Sequence, residues 1–328
     1  MRATAPLAVL FLLASACGAG AGASDDGRLN VVTTVSPITN IAQNVGGRHV
    51  EITGIVPEGT NSHTFEPAPA DARVMAEADV VFVNGLHLEE PTLALARANA
   101  PGGTPIVQLG DRTISPEEYI YDFSFPEEGG APNPHLWTNP RYAARYAEII
   151  ADTLSDLDPT HAEDYRRNVE AFQDRIEELD RLIREITETV PPENRKLLTY
   201  HDSFPYFARQ YGWEIIGAIQ PSDFAEPTPQ DVAGLIGQVR DEGVPAIFGS
   251  EVFPSPVLEQ IAVESGARYV DDLRDDDLPG EPGDPEHTYL GLMVFDYRAF
   301  MGALGGDVSL FDGFETGNVS AGSAEYRT

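Results

Sequence analysis

The chain has 328 residues, 42% of them hydrophobic, with 53 Asp and Glu against 21 Lys and Arg and a formal charge of −32. Length and apolar content suffice for one large or two ordinary cored domains, which excludes wholesale disorder, and the charge excludes a partner nucleic acid held by neutralised phosphates. The single cysteine, Cys17, excludes an internal disulfide framework and a cysteine-based zinc knuckle.

In chain order, Arg2 precedes an apolar run, Pro6–Ala16, that is too short to span a bilayer and ends in small residues directly before Cys17. Residues 1–17 are therefore expected to be a secretory signal with a lipobox and Cys17 the lipidated residue. Residues 18–28 would be a flexible tether, and the protein would be exported to the cell surface or periplasm and held to the membrane by lipid. From 29 to 157, apolar strand-like runs at 29–35, 50–56, 80–83 and 106–109 alternate with helical patterns at 36–46, 69–78 and 89–99, which reads as βαβ units of an N-terminal lobe.

Tyr165, Val169, Phe172, Ile176, Leu179, Ile183, Ile186 and Val190 then recur at alternating steps of four and three, the period of one amphipathic helix. Asp158-Pro159 supplies a cap and a first-turn proline, and Pro191-Pro192 stops the run. A helix over 158–191 would be a rod of about 48 Å. A two-stranded coiled coil would show the same stripe, but α/β patterns on both sides favour a connector packed along two lobes, one that resists bending. The second set has strands at 196–200, 213–219, 246–249 and 268–270 and helices at 203–211, 229–242 and 254–265, within a C-terminal lobe spanning 192–306. An acidic, Gly/Ser-rich tail follows at 307–328. The expected fold is α/β, with two (βα)4-type lobes joined by one long rigid helix.

Open α/β sheets bind ligands at the carboxyl ends of their strands, so the side chains there are the candidates for chemistry. His63 lies in a polar, turn-rich loop past strand 50–56, and His135 lies in the proline-stiffened Pro132-Asn133-Pro134-His135. His201 follows strand 196–200, and Asp271 follows strand 268–270. Each has an ordinary reading: a hydrogen-bonded loop histidine for His63 or His135, a helix cap for Asp271, a cap neighbour or hydrolase residue for His201 beside Asp202 and Ser203. Together they offer two donors per lobe, which a site in an interlobe cleft requires.

Several blocks in order resemble the zinc/manganese substrate-binding lipoproteins of bacterial metal ABC importers: Ser62-His63-Thr64-Phe65-Glu66-Pro67, Asn133-Pro134-His135-Leu136-Trp137, His201-Asp202-Ser203-Phe204-Pro205 and Tyr269-Val270-Asp271-Asp272-Leu273. The resemblance spans residues 29–304. It implies His63, His135, His201 and Asp271 as ligands, with Asp272 the alternative to Asp271, and Glu251 as a carboxylate behind the ligands. Asp202 is a further carboxylate placed to offset the charge of a bound ion, and His287, in the acidic loop close to the Asp271 block, is a candidate accessory ligand. It also implies a monomer that binds a divalent ion outside the cytoplasm and delivers it to a membrane permease driven by a cytoplasmic ATPase.

Three imidazoles and one carboxylate suit tetrahedral Zn²⁺; Mn²⁺, which prefers more oxygen, is the alternative. A metallohydrolase or a metal-containing adhesin are further readings, though neither His-Glu-x-x-His nor Gly-x-Ser-x-Gly occurs. The family's zinc members carry a His-rich loop after the first histidine block. Here residues 116–132 hold no His, and they are acidic, as is 275–286; both read as solvated surface, with attraction of cations to the cleft mouth as a further role.

Overall fold

The computed structural model describes residues 27–220, 227–250 and 256–327; the expected signal, Cys17 and Glu251 lie outside them. The N-terminal lobe runs β1 (Leu29–Thr33), α1 (Ser36–Gly46), β2 (Val50–Gly54), α2 (Asp71–Ala76), β3 (Val80–Val83), α3 (Glu90–Asn99), β4 (Ile106–Gln108), α4 (Leu109–Thr113) and α5 (Pro140–Leu157). The connector α6 (Ala162–Thr189) leads to β5 (Lys196–Thr199), α7 (Pro205–Tyr211), β6 (Glu214–Ala218), α8 (Pro229–Glu242), β7 (Ala246–Ser250), α9 (Pro256–Ser265), β8 (Arg268–Leu273), α10 (Tyr289–Ala303) and β9 (Ala324–Glu325).

The two sheets are parallel, ordered β4-β3-β1-β2-β9 and β6-β5-β7-β8. β3 reads Val-Val-Phe-Val and β7 Ala-Ile-Phe-Gly-Ser, every residue buried, as a parallel strand covered on both faces must be. Val31 and Phe82 face a core that continues through Tyr165, Ile183 and Phe300 into the second lobe, while Val32, Val81 and Val83 pack with Met75 and Leu93 on the opposite face.

The apolar stripe of α6 is buried as expected, but the helix is 28 residues long, about 42 Å. Pro159–His161 forms a separate 3₁₀ turn, because the Asp158 carboxylate pairs with His161 Nδ1 (2.5 Å) and accepts from the Tyr165 hydroxyl (2.9 Å) instead of capping backbone amides. Asp180, midway along α6, receives Arg141 of α5 at 3.1 Å and the Tyr211 hydroxyl of α7 at 2.9 Å, so the connector is bonded to both lobes.

The tail is an ordered part of the fold. After a 3₁₀ turn at Val308–Phe311 the chain crosses back to the N-terminal lobe, where β9 pairs with β2, Ile52 opposite Ala324 and Thr53 opposite Glu325.

Candidate metal centre

Each histidine is aimed by local bonds of its own loop. The Asn61 side chain accepts the His63 amide at 2.9 Å and the Asn61 carbonyl accepts Thr64 N at 3.3 Å, a turn that projects His63 into the cleft. Asn133 Oδ1 accepts both the amide of His135 (3.1 Å) and its Nδ1 (2.8 Å). The Asn133 amino group donates to the Asp202 carbonyl at 2.6 Å and to Asp122 at 3.0 Å, which identifies Oδ1 as the acceptor and places the His135 proton on Nδ1. Its Nε2 therefore carries a lone pair. His201 leaves the end of β5 with its carbonyl bound by Thr199 Oγ1 at 2.6 Å, and its Nδ1 lies 3.7 Å from Asp275 Oδ2.

The three Nε2 atoms converge. His63 Nε2 is 3.1 Å from Nε2 of both His135 and His201, close to the separation of about 3.3 Å between tetrahedral donors at about 2.0–2.1 Å from one ion. A carboxylate oxygen completes a set of four donor atoms, all within 4.8 Å of one another, and it belongs to Asp276.

Asp271 and Asp272 are not brought to this point. β8 continues to Leu273 as the edge strand of its sheet, and both side chains are exposed on it, in keeping with the charge that edge strands carry outward. The chain then turns at Asp275, whose φ of 53° lies in the left-handed region. Asp296 accepts Arg274 N (2.9 Å) and Asp275 N (3.2 Å), Ser203 donates to Asp275 Oδ1 (2.6 Å), and Trp137 Nε1 donates to its carbonyl (3.1 Å). Asp275-Asp276-Asp277, expected as the start of a solvated acidic loop, is thus buried. Asp276 is gripped by hydroxyls of the other lobe, Ser62 on Oδ2 at 2.6 Å and Ser36 on the carbonyl at 3.0 Å. Its Oδ1 is buried with no hydrogen-bond partner among the described residues, a cost that a bound cation would offset.

Burial holds His63 and His135 well below the usual histidine range, with the charge of His201 adding to it. His201 is raised: burial opposes its charge, but the neighbouring carboxylates of Asp275, Asp276 and Asp202 outweigh it. Burial also raises Asp276, reinforced by Asp275 and opposed by His201 and Ser62. Behind His201 lie the buried carboxyl of Asp202 and the partly buried one of Asp122; burial and the neighbouring Asp202 push Asp122 up to about 9. The segment that carries Asp122 crosses to the C-terminal lobe, where Ser124 bonds Asp202 Oδ2 (3.1 Å) and the Gln220 carbonyl (2.6 Å). Phe125 caps the histidines, its ring centroid 5.4 Å from His63 and 5.7 Å from His135. Beside it a cavity of about 240 Å³, lined by His63, His87, Phe125 and Pro134, reaches the site.

His287 stands apart from the four donors, buried at the seam between the lobes with Nε2 3.7 Å from Glu58 Oε1 and its ring against Tyr326.

Comparison with known proteins gives a match to the family described as "ZnuA: Zinc-uptake complex component A periplasmic" over residues 31–303. The manganese-binding lipoprotein MntA of Halalkalibacterium halodurans is 30% identical over 298 residues, covering 90% of this chain and 96% of its own. The iron-binding protein YfeA of Yersinia pestis is 31% identical over 266 residues, 81% of this chain and 83% of its own. Among solved structures, the manganese-bound periplasmic metal-binding protein of Candidatus Liberibacter asiaticus superposes with a TM-score of 0.73 at 29% identity, covering 84% of this chain and 98% of that one. Streptococcal metal ABC transporter substrate-binding lipoproteins are also similar.

Proposed function

The chain belongs to the zinc/manganese substrate-binding family of bacterial metal ABC importers, and on that premise we propose that it captures one Zn²⁺ between its lobes outside the cytoplasm and delivers it to a membrane permease driven by a cytoplasmic ATPase. The observation that carries this reading is the meeting of His63, His135 and His201 Nε2 with an Asp276 oxygen. Four segments, two in each lobe, supply these donors. Three neutral nitrogens and one carboxylate oxygen form a tetrahedral set. Because Ser62 engages Oδ2 of Asp276, that carboxylate has one oxygen left to give, which favours Zn²⁺ over the oxygen-richer Mn²⁺. Manganese is the second reading, favoured by the names of the MntA relative and of the manganese-bound structure.

Four protein donors leave no coordination position for a reacting water, so the role is binding and not turnover. The ion is cargo, and the chain acts as a monomer anchored through a lipid on Cys17.

The test is a titration of metal-free protein with Zn²⁺ and with Mn²⁺, followed by chelation. One equivalent of Zn²⁺, bound more tightly than Mn²⁺ and removed with the fold intact, is the expected result. Hydrolysis of test esters, unfolding on chelation, or no binding would each overturn the reading, and tighter binding of Mn²⁺ would turn it to the second.

A further inference from the structure

The family match ends at residue 303, and the chain beyond it is built into the N-terminal lobe in detail. α1 presents a row of buried amides to it. Asn44 accepts Val319 N at 2.8 Å and donates to Asn318 at 2.9 Å; Gln43 donates to the Gly322 carbonyl at 2.9 Å and accepts the Tyr326 hydroxyl at 2.8 Å; Asn40 donates to that hydroxyl at 3.1 Å. Gly322 lies so close to Gly47 that a Cβ there would stand 2.5 Å from the Gly47 carbonyl oxygen, and β9 then adds to the sheet.

All of this delivers Arg327 to the two ends of the loop that carries His63. Its carbonyl accepts Glu58 N at 2.9 Å, at the loop's start. Its guanidinium pairs with Asp71 Oδ1 at the loop's end. Asp71 is 1% exposed, and its other oxygen accepts Ala68 N at 2.8 Å inside the loop. The same loop start holds the aspartate side of the centre, since Gly59 N donates to Asp277 Oδ2 at 2.7 Å and Glu58 Oε1 accepts Leu278 N at 3.2 Å.

We propose that residues 316–327 form a clasp and that Arg327 is a positioning residue for the metal centre, fixing the His63 loop at both ends. The inference rests on the reading of His63 as a ligand. The charged partner matters because a buried carboxylate that has lost its partner is strongly destabilising, so removal of Arg327 favours a rearranged loop that lets water reach Asp71.

The test uses the full chain with Arg327→Gln, Arg327→Lys and Gly322→Val. Zn²⁺ dissociation into excess chelator is followed by stopped flow, and amide hydrogen exchange is measured on the metal-free protein. Loss of a group that orients a ligand typically weakens metal binding by about 10–100-fold. Arg327→Gln is expected to raise the dissociation rate in that range and to speed exchange across 58–71 while leaving 196–218 unchanged. Gly322→Val should do the same with Arg327 present, because it unseats the segment, and Arg327→Lys should recover part of the loss by restoring charge to Asp71. Wild-type dissociation rates in both Arg327→Gln and Gly322→Val overturn the proposal, whether or not exchange has changed. Failure of the unaltered protein to bind metal would instead remove the functional reading, and unchanged exchange across 58–71 would still dispose of the clasp.

Discussion

The assignment of the fourth donor makes the sharpest prediction, because Asp276→Asn and Asp271→Asn must behave oppositely. Asp276 is a buried carboxylate with one oxygen committed to Ser62 and one unpartnered; Asp271 is exposed on an edge strand. Outer groups that merely orient ligands are worth about 10–100-fold in metal affinity, so loss of a direct anionic donor is expected to cost at least about 100-fold. At free Zn²⁺ about 100 times the wild-type Kd, binding stabilises the protein by about 2.7 kcal/mol. For Asp276→Asn the same concentration would only reach Kd, leaving about 0.4 kcal/mol. The difference is a loss of about 4 °C in the zinc-induced rise in Tm for a chain of this size. In metal-free protein the sign reverses: burial already raises the Asp276 pKa, so replacing it with a neutral amide removes a desolvation cost, and the variant should melt no lower than wild type. Calorimetry of both variants with and without zinc reads both quantities. A full zinc shift in Asp276→Asn, or its loss in Asp271→Asn, refutes the assignment.

Acid should weaken binding early. Coordination needs neutral imidazole, His63 and His135 are already held neutral, and His201 is raised, so proton competition begins above the ordinary histidine value of about 6.5 and costs about tenfold in affinity per pH unit below the His201 pKa; a flat profile from pH 8 to 5 by titration contradicts this. Asn133→Ala strands His135 Nδ1, the Asp202 carbonyl and Asp122, and is expected to lower zinc affinity about 10–100-fold and stability by about 2 kcal/mol or more, checked by titration and urea unfolding; affinity within threefold of wild type would count against the role of Asn133. Burial pushes Glu89 up to about 7, despite bonds from Asn84, Thr34 and Gly85. Between about pH 4.5 and 7 the native chain keeps a proton that the unfolded chain releases, so Glu89 makes stability fall as pH rises through that window, by on the order of 3 kcal/mol. Glu89→Gln should remove that share of the decline in metal-free urea titrations, and identical slopes in variant and wild type would show that Glu89 does not supply it.

What could be read in the sequence follows from how locally each feature is determined. The α6 stripe and the continuous apolar runs of β3 and β7 are set by period and burial, and they appear where expected. The convergence of the three histidines was legible because His63 and His201 lie just past strands, His135 lies in a proline-stiffened loop, and each sits in its own recognisable block. The aspartate was not. Asp271 and Asp272 extend an edge strand whose outward charges look the same as the start of a loop, and only the turn at Asp275, held by Asp296 and Trp137 from distant segments, brings Asp276 inward. The tail was opaque for a similar reason. Val319, Gly322 and Tyr326 are bonded to Asn44, Gln43 and Asn40 of α1, more than 270 positions away, and the local pattern carries no trace of them. The sequence suggests a surface His49 and a structural His87, and the structure has them the other way round: His49 stacks on His161 at 3.9 Å and bonds Asp164, while His87 is exposed beside Glu90.

Ser62 and His63 are consecutive residues, yet one hydroxyl secures the opposite lobe's carboxylate while its neighbour's ring joins the other donors. The bond that latches one lobe to the other and the completion of the donor set are therefore tied through a single peptide link, and any parting of the lobes at this seam would break the latch and withdraw a donor together.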